Sequence, residues 1–211
     1  VPATRDDACI VTAAHPIRCR CGQLQARLDH PDLATRAICY CRDCRAYAHF
    51  LGPPEGLLDA LGGTEVAIVR PRRVAFTAGL EHLACMSLSP RGIYRWYARC
   101  CRTPIGNTPR DHRIPYLGLV HSCLDQAGPP LDAALGPVRM KVHRHGAHGD
   151  PGGTPLVPLA LAGARQGLSL AWDRVSGNYR DSAFFDAATG APRVAPEVIS
   201  REARQALLDR V

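Results

Sequence analysis

Lysine is almost missing from this chain. Lys141 is the only one, so Arg supplies 25 of the 26 basic residues. Alongside 18 Pro and 19 Gly, that bias reads as the mark of a GC-rich coding sequence, not of a phosphate-binding face. The formal charge of +7 is therefore read as a solvated surface, and no nucleic-acid partner is expected. Also missing is any run near the roughly 18 unbroken apolar residues of a membrane span. The best stretch, Pro155 to Trp172, is broken by Pro158, Arg165 and Gln166, so no membrane association is expected. Val1 to Ile10 carry Arg5, Asp6 and Asp7 and no apolar core. No secretory leader is expected there, and the expected location is cytoplasmic. There is no internal repeat of roughly 20–50 residues and no low-complexity tract.

What is present is globular. Hydrophobic residues at 46% and charged residues at 21% exclude a disordered or collagen-like chain. A length of 211 residues suits one large domain, or a compact domain with an appended segment. Residues 1–16 read as an irregular arm. From Ile17 to Leu28 apolar and polar residues alternate as in a half-buried strand. His30-Pro31-Asp32 turns the chain, and Thr35 to Tyr40 reads as a strand entering Cys41. Further β-rich runs lie at Glu65–Val69, Arg72–Thr77, His82–Leu88, Ile93–Tyr97 and Pro115–His121. Residues 17–125 thus read as a mostly antiparallel β domain. Residues 126–211 read as a helix- and loop-rich extension packed on it, with helices expected over Leu156–Val175 and Pro196–Val211. The fold class is mostly β with α.

Ten cysteines are many for this length, and their placement decides their chemistry. They fall as Cys19-x-Cys21, Cys39-x-Cys41-x-x-Cys44 and Cys100-Cys101, with Cys9, Cys85 and Cys123 isolated. Tight clusters in a chain without a visible leader point to metal thiolates over disulfides. A Cys-x-Cys pair is poorly spaced to bridge to itself, whereas short spacings let several sulfurs reach one ion. Thiolate-rich sets select zinc or iron–sulfur clusters, and the lack of a ferredoxin-like four-cysteine run favours zinc. Two zinc ions held by seven thiolates lower the formal charge by about three.

Three segments together resemble the glutathione-dependent formaldehyde-activating enzymes, a family that includes centromere protein V. They are Cys19-Arg-Cys21-Gly22, Cys39-Tyr-Cys41-Arg-Asp-Cys44-Arg45 and Tyr97-Ala98-Arg99-Cys100-Cys101-Arg102-Thr103-Pro104, and the likeness spans about residues 17–107. The resemblance implies an Mss4-like β-tent with two zinc ions. Cys19 and Cys21 with the late cysteines Cys100 and Cys101 would hold a structural ion, and Cys39, Cys41 and Cys44 a second ion with an open position. The pattern departs from the family at the third segment, where Ala98 stands for a cysteine and Arg102 for a glycine. The fourth structural ligand is thus open between Cys100, His121 and Cys123.

A three-thiolate zinc is a poor Lewis acid but a good host for a soft incoming thiol, which it holds as thiolate. That suits a carbon–sulfur lyase or synthase joining glutathione, or another small thiol, to an electrophilic carbon such as formaldehyde. Tyr47 or His49 would supply the proton, and Arg45 would pair with a substrate carboxylate or hydrogen-bond to the sulfurs. The competing readings are a non-catalytic zinc scaffold for protein or nucleic acid, and a thiol-ligand binding protein without turnover. Arg70-Pro71-Arg72-Arg73 reads as a charged strand edge, His143-x-His145-x-x-His148 as a solvated loop, and Trp96 and Tyr97 as core and pocket wall.

Overall fold

The computed structural model describes residues 14–124, 128–153, 164, 167–168 and 170–211. Two sheets carry the chain. The smaller is antiparallel, with β1 (His15–Arg18), β2 (Gln25–Leu28) and β5 (Val74–Ala78) in that order. The larger has eight strands ordered β10-β3-β4-β9-β8-β7-β6-β11. Its strands are β3 (Thr35–Cys39), β4 (Thr64–Val69), β6 (Leu83–Ser87), β7 (Tyr94–Ala98), β8 (Thr103–Thr108), β9 (Leu117–Val120), β10 (Val138–Val142) and β11 (Glu197–Val198). The inner strands are antiparallel, and only the outermost pairs, β10 with β3 and β11 with β6, are parallel. The architecture is mixed α and β, mostly sheet.

Both faces of the large sheet are covered, which is why β6, β8 and β9 are buried at every residue. The small sheet closes one face, where Ile17, Leu24 and Leu28 pack with Trp96, Ile105, Leu117 and Leu119, and Phe184 and Phe185 join them from the C-terminal half. On the other face lies helix α1 (Arg42–Leu51), whose Ala46, Tyr47, Ala48 and Leu51 pack on Val66, Met86 and Val120. The C-terminal helix (Arg201–Leu208) lies over α1, adding Leu207 and Leu208 to that cluster. It starts where Ser200 accepts a hydrogen bond from the Ala203 amide at 3.1 Å.

The structure departs from the sequence reading in several elements. The alternation from Ile17 to Leu28 is two strands, because Gly22 at φ +78° turns the chain between them. Helix α1 was not expected, although its apolar residues fall on one face. Residues beyond 126 do more than cover the domain: β10 and β11 extend the sheet at both edges. The Pro196–Val211 helix is shorter, since Glu197 and Val198 pair with β6 first. Arg70 is buried against Asp173 at 2.7 Å, so the Arg70–Arg73 run is not merely a charged edge. The arm up to residue 13, Cys9 and most of the expected Leu156–Val175 helix lie outside the described residues, of which 170–175 are helical. Among the described residues no helix is long and apolar enough to cross a membrane.

Candidate metal centres

The turn between β1 and β2 carries Cys19 and Cys21, and the turn between β7 and β8 carries Cys100 and Cys101. The two turns meet so that all four sulfurs lie within 4.8 Å of one another. Cys19 Sγ stands 3.5 Å from Cys21 Sγ and 3.8 Å from Cys100 Sγ, with Cys21 to Cys100 at 3.3 Å and Cys100 to Cys101 at 3.9 Å. A tetrahedron of roughly 2.3 Å metal–sulfur bonds has edges of about 3.8 Å, so the set fits one ion. No disulfide joins any cysteine among the described residues. The Leu24 amide donates to Cys19 Sγ at 3.2 Å, and the Thr103 hydroxyl lies 3.1 Å from Cys101 Sγ. Such hydrogen bonds hold the sulfurs in place from behind.

This arrangement addresses the open fourth ligand. Cys100 and Cys101 both join the group. Ala98, at the position where the resembled family has a cysteine, is a buried core residue. Cys123 is buried and bonds to the Val120 carbonyl, and His121 faces the carbonyls of Glu65 and Gly56. Arg102 adopts φ +56°, the left-handed region that favours glycine, which accounts for the glycine expected there. Its guanidinium donates to the Phe50 carbonyl at 2.8 Å, tying this turn to the end of α1.

The second group is local. Cys39 ends β3, Cys41 caps α1 and Cys44 lies in the helix's first turn, so three sulfurs gather at a helix N-terminus, where thiolate charge is favoured. Cys41 Sγ is 3.1 Å from Cys44 Sγ, which is 3.7 Å from Cys39 Sγ. Among the described residues no fourth Cys, His, Asp or Glu joins these three within 4.8 Å. Hydrogen bonds from Cys39 and Cys41 hold the Cys44 thiol well below its usual range, and the Arg95 guanidinium adds to that. Burial, with the charges of Cys39 and Cys44, pushes the Tyr116 phenol up to about 12.

Arg95 comes from β7 and is 3% exposed. The other deeply buried arginines in ion pairs meet carboxylates, Arg36 on Glu65 at 2.6 Å and Arg70 on Asp173. Arg95 has no such partner among the described residues. It faces Cys44, lies over the Tyr47 ring at 5.0 Å and donates to Asn107 Oδ1 at 3.2 Å. One divalent ion held by three thiolates would carry a net −1, which one guanidinium balances.

A bulge brings these groups together. Trp96 pairs with Gly106, but Tyr97 pairs with Pro104, so Ile105 is the extra residue in β8. Pro104 and Asn107 therefore line one small cavity with Cys44, Tyr47, Thr64 and Arg95. The cavity of about 10 Å³ has room for one water-sized group. Thr64 pairs with Cys39 in register and is 5% exposed. Its hydroxyl has no hydrogen-bond partner among the described residues.

The other residues singled out from the sequence lie around this group. Tyr47 donates its hydroxyl to the Trp96 carbonyl at 3.1 Å, and burial raises that phenol's pKa well above its usual value. His49 sits on α1 near Arg210, and burial lowers its pKa. Arg45 is buried and donates to the Gly146 carbonyl. His143, His145 and His148 are exposed, in a turn that packs Gly146 against Tyr40. Cys85 is buried, which pushes its thiol up to about 12. Arg95, Thr64, Asn107 and Tyr116 were not anticipated. The one visible signal was an Arg set between Tyr94 and Trp96 in a β-rich run.

A family described as a family of unknown function (DUF6151) matches residues 11–158, well over half of the chain. No curated protein matches it. Among solved structures, a crystal structure of a Rhodobacter sphaeroides protein, a structural-genomics target, is 19% identical. It covers 60% of this chain and 99% of its own, with a TM-score of 0.40. That likeness is too low to carry an argument about the fold.

Proposed function

The chain belongs to the DUF6151 family, whose function is unknown, and from the site's own chemistry we propose that Cys39, Cys41 and Cys44 hold zinc and activate a small thiol for addition to an electrophilic carbon. The observation that carries this reading is the contrast in ligand number. One group offers four sulfurs to an ion. The other offers three, beside a buried guanidinium and a small cavity that Thr64 and Asn107 also line. Structural zinc sites are closed by four protein ligands, and reactive ones keep a position open. Zinc bound there supplies a soft cation that keeps an incoming thiol as its nucleophilic thiolate near neutral pH.

The protein's own groups do the rest. The α1 N-terminus and Arg95 favour negative charge on the sulfurs. Tyr47 and His49 are the protein groups proposed to exchange a proton with the adduct, and Arg45 braces the turn at Gly146 behind the cysteines. The three cysteine segments support the likeness to the glutathione-dependent formaldehyde-activating family, and with it an Mss4-like tent. On that basis glutathione is the thiol to try first, with formaldehyde as the carbon partner, in a carbon–sulfur lyase or synthase reaction. Elemental analysis and zinc-edge absorption spectroscopy, with and without glutathione, test the reading. Two zinc ions, one gaining a sulfur neighbour when glutathione is added, are expected. Two ions already closed by four protein ligands, with no response to thiol, would leave a zinc-stapled scaffold instead.

A further inference from the structure

We infer that the cavity between Cys44 and β7–β8 is a binding pocket for the carbonyl oxygen of a small aldehyde, with Arg95, Asn107 and Thr64 as its donors. The inference rests on the thiol-activating reading above and names where the second reactant's oxygen goes. Three observations carry it. The cavity holds one water-sized group and no more, so it takes an oxygen atom and leaves the rest of a substrate outside. Its lining is mostly apolar, with Leu57, Pro104 and Val120, and the polar side chains set into it, Arg95, Asn107 and Thr64, can each donate. Arg95 has only N–H groups, and Asn107 turns its oxygen to Arg95, which leaves its amide N–H₂ for a ligand. Thr64 supplies a hydroxyl, buried with no partner among the described residues. A buried hydroxyl left unsatisfied costs roughly 1–3 kcal/mol, so one placed at a core strand position beside a cavity points to a ligand.

The position also fits the chemistry. Thr64 is the cross-strand partner of Cys39, and Arg95 faces Cys44, so the donors and the Cys44 sulfur border the same space. A thiol that binds as thiolate has released its proton to solvent. Its sulfur electron pair then forms the carbon–sulfur bond, and the carbonyl π pair moves onto oxygen. That oxygen carries the new negative charge into the pocket, where donors already in place stabilise it. It then takes a proton from Tyr47 or His49, which regain one from solvent, and the product is the neutral hemithioacetal. The bulge at Ile105 is the device that makes the pocket, since without it Asn107 would turn to the opposite face of the sheet.

The test uses the full chain loaded with cobalt in place of zinc, and Thr64→Val, which keeps the shape and removes the hydroxyl. Three readouts are taken: the cobalt–thiolate absorption on titration with glutathione, the rate of glutathione addition to formaldehyde, and the thermal midpoint. The expected result is unchanged glutathione affinity, a thermal midpoint equal to or above the wild type's, and addition slowed roughly 100-fold. Thr64→Ser, which restores the hydroxyl, should recover most of the rate. Thr64→Ala replaces the valine variant if that one does not fold. Addition at the wild-type rate in a variant that binds glutathione normally would overturn the pocket and leave thiol activation standing. So would a wild-type protein that binds glutathione but does not speed the addition. A wild-type protein whose cobalt spectrum ignores glutathione would instead remove the reading on which the pocket depends.

Discussion

The two cysteine groups use the same ligand atom and differ in how much chain they close. Cys19 and Cys100 are 81 residues apart, whereas Cys39 and Cys44 are separated by 5. Closing a loop of the first size costs a free chain about 4 kcal/mol of entropy, and one of the second size only about 1.4 kcal/mol. The four-sulfur group joins the small sheet to the large one and is lined by backbone amides and a threonine. The three-sulfur group gathers on one helix end and looks onto Arg95, Asn107 and Thr64. An ion in the first group would therefore act on the whole fold, while one in the second would have little effect on the fold and much on its surroundings. A shared ligand type does not imply a shared role; span and neighbours separate the two.

The sharpest way to break that comparison is to remove one sulfur from each group. Cys19→Ser should release one zinc and lower the melting temperature by about 10 °C, the equivalent of the lost loop closure. Metal analysis with thermal denaturation checks this, and a small shift would mean that the sheets hold together without the ion. Cys44→Ser should also release one zinc, but with a fall of under about 4 °C and complete loss of the response to glutathione. Equal melting shifts in the two variants would erase the distinction between staple and reactive site.

A smaller effect isolates Arg95. Arg95→Met should weaken the second ion's binding about 10- to 100-fold in a competition with a chelator, leaving the four-sulfur ion unchanged. Arg95→Lys should fall between, since it keeps the charge and loses the fork. The smallest effect concerns Arg102. Arg102→Ala keeps the strained φ and loses the bond to Phe50, so it should destabilise by about 1 kcal/mol in denaturant titration. Arg102→Gly loses the same bond but relieves the backbone, and should lie within about 0.5 kcal/mol of wild type.

Much of this was legible in the sequence, because metal ligation leaves a local trace. The spacing of Cys39, Cys41 and Cys44 marks, within six positions, a group able to share one ion, and Cys19-x-Cys21 marks half of another. What could not be read is what pairing creates. Thr64 reaches Cys39 only through the β3–β4 register, and Asn107 reaches Arg95 only through the bulge at Ile105. Neither feature has a spacing rule in the chain. The edge strands were hidden for another reason: β11 is two residues long, and β10 is only half-buried, so neither shows the alternation of a covered strand. Helix α1 carried a readable apolar face, but the dense cysteine motif at its start held the attention, and no element was assigned there.

The parallel pairing of β10 with β3 places Val142 beside Cys39, with the Tyr40 amide donating to the Val142 carbonyl at 3.1 Å. On a ribosome adding roughly 5–20 residues per second, the neighbour of Cys39 is made several seconds after it. For about the first three fifths of that interval Cys19, Cys21, Cys39, Cys41 and Cys44 have been made while Cys100 and Cys101 do not yet exist. An ion captured then can bridge the two early clusters and lock the nascent chain in the wrong pairing. The order in which metal and chain arrive therefore matters to yield, and zinc supplied after synthesis, once β10 has closed the edge, should give more correctly loaded protein than zinc supplied throughout.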